Sequence, residues 1–144
     1  MGCVFCEISK KEKPAYIIYE DDDIMTILDI NPISKGHLLV IPKEHHEGIQ
    51  DTPVKTLIKA WVTASAFAKI YRVNLNAPGV NVVTNSGSPA GQVIFHFHVH
   101  VIPRWDQDGF KKSGRHQLNE KEANEVINML SNHIDVVKDY LKQL

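Results

Sequence analysis

"HFHVHVIPR", residues 96–104, puts His96, His98 and His100 at every second position, with Phe97, Val99 and Val101 interleaved. Alternation of apolar and polar residues is the mark of a half-buried strand. Successive side chains of a strand point to opposite faces, and each residue advances the chain by about 3.3 Å. The three imidazoles would therefore share one face at intervals of roughly 6.6 Å. Phe97, Val99 and Val101 would then pack on the core. On a helix, residues two apart do not face each other and the row would scatter. The pattern predicts a strand over residues 93–102.

Working outward, "AYIIYE" (15–20), "IMTILDI" (24–30), "HLLVIP" (37–42) and "GVNVVT" (79–84) read as four more strands. Asp21, Asp22 and Asp23 form a turn between the first two. Thr52 and Pro53 open a helix as N-cap and first helical residue, with Val54, Leu57, Ile58, Trp61 and Ala68 at helical spacing up to about Val73. "NSGSPAG" (85–91) is a Gly- and Ser-rich turn, and the polar residues 105–117 read as a mobile loop. Asn119 and Glu122 then begin one closing helix within residues 118–144, with Ala123, Val126, Ile127, Leu130, Ile134, Val137 and Leu141 on its apolar face. Five consecutive strands and two main helices predict an α+β fold, an antiparallel sheet backed by helices, in one domain over residues 1–144.

A row of imidazoles suits two kinds of chemistry. Two histidines at i and i+2 of a strand can grip a metal. Neutral imidazole is also a good nucleophile near pH 7, and one histidine can attack phosphorus while another serves the leaving group. The turn before the stripe offers Asn85, Ser86, Gly87, Ser88 and Gly91, whose unobstructed N–H groups can form an anion nest. Gln92 adds an amide. His37 opens the third strand, and Asp29 before it has two oxygens that can accept from the vicinal hydroxyls of a ribose. No P-loop or dinucleotide glycine pattern is present in the sequence.

Net charge is −1, which gives no electrostatic case for a nucleic-acid polymer or a membrane surface as partner. No apolar run reaches the length of a membrane span, and the start "MGCVFCEISKKEK" lacks the apolar core of a secretory signal. A cytoplasmic protein is the expectation, in which Cys3 and Cys6 are not a structural disulfide. Their C-x-x-C spacing supplies half a tetrahedral metal site, with inert thiols or a redox pair as the other readings. Met1-Gly2 matches a myristoylation start only weakly.

The segment "HFHVHVI" resembles the His-x-His-x-His signature of the histidine-triad (HIT) nucleotide-binding proteins. "LDINPISKGHLLVIPKEH", "NSGSPAGQVIFHFHVHVIPR" and "CVFCEI" extend the similarity over most of residues 1–104. The resemblance implies a hydrolase that cleaves at the α-phosphorus of dinucleoside polyphosphates or nucleoside phosphoramidates. Its catalytic residues would be His98 as nucleophile, His100 at the phosphate and leaving atom, and His37 in support. Asp29 would take the ribose, Ile30 would flank an adenine-type base, and Asn85 and Gln92 would line the phosphate pocket. No catalytic metal is implied, and relatives usually form homodimers. Many relatives carry Ser or Thr where this chain has Val93, and a valine cannot donate a hydrogen bond. That keeps a nucleotide-binding adaptor or sensor with little catalysis as the alternative. A metal hydrolase using the triad directly ranks last, because no paired carboxylate adjoins the stripe.

In one branch of the resembling family a cysteine pair combines with a histidine after "PK" and with the first histidine of the triad. Carried over, Cys3, Cys6, His45 and His96 make a closed Cys₂His₂ set, which implies a structural zinc. His46 is the competing ligand by adjacency. Trp105 and Phe110 are expected to anchor the loop, Lys111, Lys112 and Arg115 to be solvated or to steer a polyphosphate, and His116 and His133 to be solvated or structural.

Overall fold

A computed structural model describes residues 2–106 and 114–144. The chain begins with a short helix, α1 (Val4–Ser9), followed by β1 (Ile17–Glu20), β2 (Ile24–Leu28) and β3 (Leu38–Pro42). Helix α2 (Val54–Lys69) continues into a widened turn over Ile70–Asn74, closed by Leu75 N–H on the Ile70 carbonyl at 2.9 Å. Then come β4 (Gly79–Val83), β5 (Val99–Arg104), α3 (Glu120–Ser131) and α4 (Ile134–Lys142). The five strands form one sheet in the order β1-β2-β3-β5-β4, every neighbouring pair antiparallel. The predicted α+β class and five-stranded antiparallel sheet therefore stand.

The strand period of two sorts the sheet into two faces. Ile24, Leu28, Leu38, Val40, Val99 and Val101 meet α2, α3 and α4, joined by Phe67, Ile70, Tyr71, Val126, Leu130 and Val137 in the main core. Met25, Ile27, Leu39 and Ile41 point the other way and are covered by Phe5 and Ile8 of α1. Burying each such large side chain stabilises by about 1.5–3 kcal/mol. His100 lies opposite Leu39 in the register, so the imidazole side of β5 belongs to the face under α1.

Several local expectations are corrected. Thr52 does not cap α2; its hydroxyl donates to the Gly48 carbonyl at 2.8 Å and ends a 3₁₀ turn over Ile49–Asp51, while Pro53 occupies the N-cap. The face α2 buries is Ala60, Thr63, Ala64, Phe67, Ile70 and Tyr71, whereas Val54 and Ile58 are exposed. Small residues allow the helix close approach to the sheet, and that outweighs the bulk of Val54 and Ile58. The closing helix is two helices, broken at Asn132 and His133. Asn119 does cap α3, accepting from Glu122 N–H at 2.8 Å, but the Glu122 carboxylate turns to His116. Of the segment expected as a mobile loop, residues 107–113 lie outside the described residues, and both flanks are tied to the body of the domain. The Trp105 indole donates to the Lys35 carbonyl at 2.7 Å, and His116 and Leu118 donate backbone N–H to Pro32 and Ile30. Phe110, Lys111 and Lys112 lie outside the described residues.

One glycine is demanded by the position of the site. Gly36, just before His37, has φ +96° and accepts the buried Tyr71 hydroxyl on its carbonyl. A Cβ there would lie 2.8 Å from the Tyr71 oxygen. Gly36→Ala is expected to cost about 2–4 kcal/mol, combining left-handed backbone with the clash. Denaturant unfolding should show a lower midpoint at unchanged slope.

Candidate functional site

The histidine segment is not one strand. β5 starts at Val99, and residues 92–98 before it are irregular. Phe97 N–H donates to the His46 carbonyl at 2.6 Å instead of entering a ladder. The β4 register ends at Val83 opposite His100, and the Thr84 hydroxyl caps the His98 carbonyl at 2.7 Å. Phe95 and Val93 in the irregular segment are exposed, while β5 is extended at its other end to Arg104. Nor is the imidazole side solvated: His96 is fully buried and His98 and His100 are nearly so. The Phe5 ring meets the edges of His96 and His98 at centroid distances of 5.7 and 5.1 Å. His98 and His100 remain neighbours at 4.9 Å, but His96 turns away from them.

Hydrogen bonds assign the proton of each ring, because a nitrogen that accepts an N–H cannot carry one. His98 Nδ1–H donates to the His96 carbonyl at 2.7 Å, leaving the Nε2 lone pair free. Ile33 N–H donates to His37 Nδ1 at 3.0 Å, so His37 carries its proton on Nε2 and donates it to His100 Nδ1 at 2.9 Å. His100 in turn holds its proton on Nε2. Lone pair and N–H therefore sit on adjacent rings. Burial pushes the pKa of His37 down to about 4 and that of His100 down to about 3, and it lowers His98 as well. All three are neutral at pH 7.

The second group of donors is built around His96. Its Nε2–H donates to the Pro42 carbonyl at 2.7 Å, so the Nδ1 lone pair points at Cys3 Sγ (3.3 Å), Cys6 Sγ (3.6 Å) and His45 Nδ1 (3.1 Å). Cys6 Sγ is also 3.4 Å from His45 Nδ1. A tetrahedral zinc with ordinary Zn–S and Zn–N bonds separates its ligands by about 3.3–3.8 Å. The donor set and its spacing fit that ion, with no ligand position left open. His46 stays outside the group, with its Nε2 beside Glu44. Asp29, His37 and His100 also bring ligand atoms within 4.8 Å of one another. There, however, the His37 proton lies between the two imidazoles, and a cation would have to displace it.

Around the histidines, Asp29 Oδ2 lies 3.6 Å from His37 Nε2, and Ile30 next to it is well exposed. Arg115 is not solvated alone: its guanidinium donates to Asp29 Oδ2 at 3.1 Å and to the Asn31 carbonyl at 2.6 Å. Asn85 is half-buried at the end of β4, beside the loop bent by Gly87 (φ +90°) and Gly91 (φ +99°). Gln92 is a brace rather than a free amide. It donates to the carbonyls of Glu47 and Ile94 and accepts from Gly87 N–H. Phe5, Thr84, Ile33 and Pro42 contribute to the site unannounced by the sequence. Three of them act through backbone atoms or ring edges, which carry no motif; Thr84, closing a β-rich run ahead of the glycine turn, offered the one usable signal.

A family model described as the HIT domain matches residues 10–107. The chain is 37% identical to "Adenylylsulfatase HINT3" of Arabidopsis thaliana over 136 residues, 92% of this chain and 69% of that protein. Among solved structures, a zinc-bound histidine triad family protein from Mycobacterium smegmatis is 39% identical, with TM-score 0.78 and coverage of 92% of this chain and 95% of that one. A HIT family hydrolase from Clostridium thermocellum is 37% identical with TM-score 0.65, covering 74% and 93% of the two chains.

Proposed function

The chain belongs to the HIT domain family, and from that membership we propose that it is a nucleotide hydrolase working through a nucleotidyl-His98 intermediate. The carrying observation is the hydrogen bond from His98 Nδ1–H to the His96 carbonyl, which commits Nε2 to be the nucleophile. His98 Nε2 attacks the α-phosphorus and the bond to the leaving group breaks, its electron pair going with the departing atom. The positive charge gained by the His98 ring is stabilised by the His96 carbonyl. Water then attacks the same phosphorus, frees His98 and releases the nucleoside monophosphate. Asp29 holds the ribose, Ile30 flanks the base, and Asn85 with the Gly87–Gly91 loop faces the phosphate. No metal is required for either transfer. We read residues 1–144 as a single domain and infer the cytoplasm as its place of work. We infer a homodimer whose contact uses the exposed Val54 and Ile58 of α2.

His100 narrows the substrate. Neutral near pH 7, it gives a hydrogen bond from Nε2–H but has no spare proton to part with. Leaving groups that depart as stable anions are served best, as in dinucleoside polyphosphates or the adenylyl sulfate that the plant relative's name specifies. An amine from a phosphoramidate needs a proton and should be turned over more slowly. The test is to quench turnover of diadenosine polyphosphate, adenylyl sulfate and adenosine phosphoramidate and measure intact mass. An increment of one nucleotidyl group on the His98 peptide is expected, with the anhydrides faster. Tight binding with no increment and no turnover would instead mark the chain as a nucleotide sensor.

Cys3, Cys6, His45 and His96 are proposed to hold a structural zinc. The ion would supply a fixed crosslink between α1, the chain after β3 and the segment carrying His98.

A further inference from the structure

Resting on the assignment of Asp29 to the ribose, we propose that Arg115 is a specificity-determining latch on that carboxylate, one that a ribose diol must displace. Residues 114–118 run as a strap across residues 29–32. His116 N–H donates to the Pro32 carbonyl at 3.1 Å and Leu118 N–H to the Ile30 carbonyl at 2.9 Å. Immediately before the first of these bonds the strap delivers Arg115 Nη1 to Asp29 Oδ2 at 3.1 Å and to the Asn31 carbonyl at 2.6 Å. The other carboxylate oxygen, Oδ1, already accepts from Asn31 N–H at 2.8 Å. With the guanidinium seated, only 12% of the Asp29 side chain meets solvent, while Arg115 itself is 45% exposed. A diol that needs Asp29 must therefore compete with a cation already bonded to it. The strap's backbone bonds can persist while the side chain swings out, since Arg115 has open solvent on its outer side.

The latch taxes only ligands that use Asp29. Its signature is the ratio of affinities for AMP and 2′,3′-dideoxy-AMP, in which phosphate and base contributions cancel. In Arg115→Gln the preference for AMP should rise about two- to fivefold, the span expected for loss of an ion pair whose cation is open to solvent. In the wild type the same ratio should rise with added salt, and in Arg115→Gln it should not. Calorimetric titration of both nucleotides into wild type, Arg115→Gln and Asp29→Asn separates the possible failures. A ratio unchanged or lowered in Arg115→Gln, with wild type preferring AMP and Asp29→Asn losing that preference, would overturn the latch and leave the ribose assignment standing. Equal affinities for the two nucleotides in wild type and Arg115→Gln alike would overturn the ribose assignment, and the latch with it.

Discussion

His98→Asn is expected to lower kcat/KM by at least about 10⁴-fold while leaving the fold and nucleotide affinity nearly unchanged. Asparagine is chosen because it keeps a planar side chain whose amide can still donate to the His96 carbonyl and pack against Phe5. What it lacks is a nucleophilic nitrogen lone pair, so the variant isolates the attack from the packing. A loss of that size corresponds to about 5.5 kcal/mol of transition-state stabilisation. His100→Asn, which removes a hydrogen bond donor but no covalent step, should lose only about 10²–10³-fold. The order of the two variants is the diagnostic point. If His98→Asn kept activity within tenfold of wild type, the covalent route through this residue would be wrong. Single-turnover rates with adduct detection by mass settle it, because His98→Asn should form no adduct at any time.

What the sequence disclosed divides by the range of the forces involved. Runs of β-favouring apolar residues identified β1 to β4, and alternation identified residues 99–102 of β5, where local composition alone is enough. Alternation failed for residues 93–98. That path is set by the His46 carbonyl capturing Phe97 N–H and by the turn of His96 toward Cys3, contacts formed across long sequence separations. Helix α1 has six residues, too few for a periodic signal, and it is held by its burial over the sheet rather than by propensity. In α2 the eye goes to Val54, Leu57, Ile58 and Trp61, yet Ala60 and Ala64 mark the contact face because a helix packs closest where side chains are small. The break after Ser131 falls on Asn132 and His133, both weak helix formers, but the continuing apolar spacing hid it. Site residues were legible as types and in number. The protonation of His37, His96 and His100 was not, since it depends on the carbonyl of Pro42 and the N–H of Ile33, backbone atoms that carry no sequence signal.

Removing the proposed zinc is the second large effect expected, and it should act on stability more than on chemistry. The purified protein should contain about one zinc per chain, and Cys6→Ser or a strong chelator should remove it. His45 is exposed and Cys6 half-buried, so a chelator can reach the site without global unfolding. Once the crosslink is lost, α1 is held mainly by Phe5 and Ile8, whose burial amounts to about 3–6 kcal/mol together. A six-residue helix cannot sustain itself in water. If α1 detaches, Tm should fall on the order of 10 °C, and hydrogen exchange should quicken across residues 3–9. Catalysis should suffer less, by about 10–100-fold, because His96 keeps its bond to the Pro42 carbonyl and still presents its own carbonyl to His98. A protein that emerges metal-free, with both thiols titratable and Tm indifferent to chelator, would show that these four side chains converge without an ion. In that case the burial of Phe5 and Ile8 alone would have to hold α1 over the histidines.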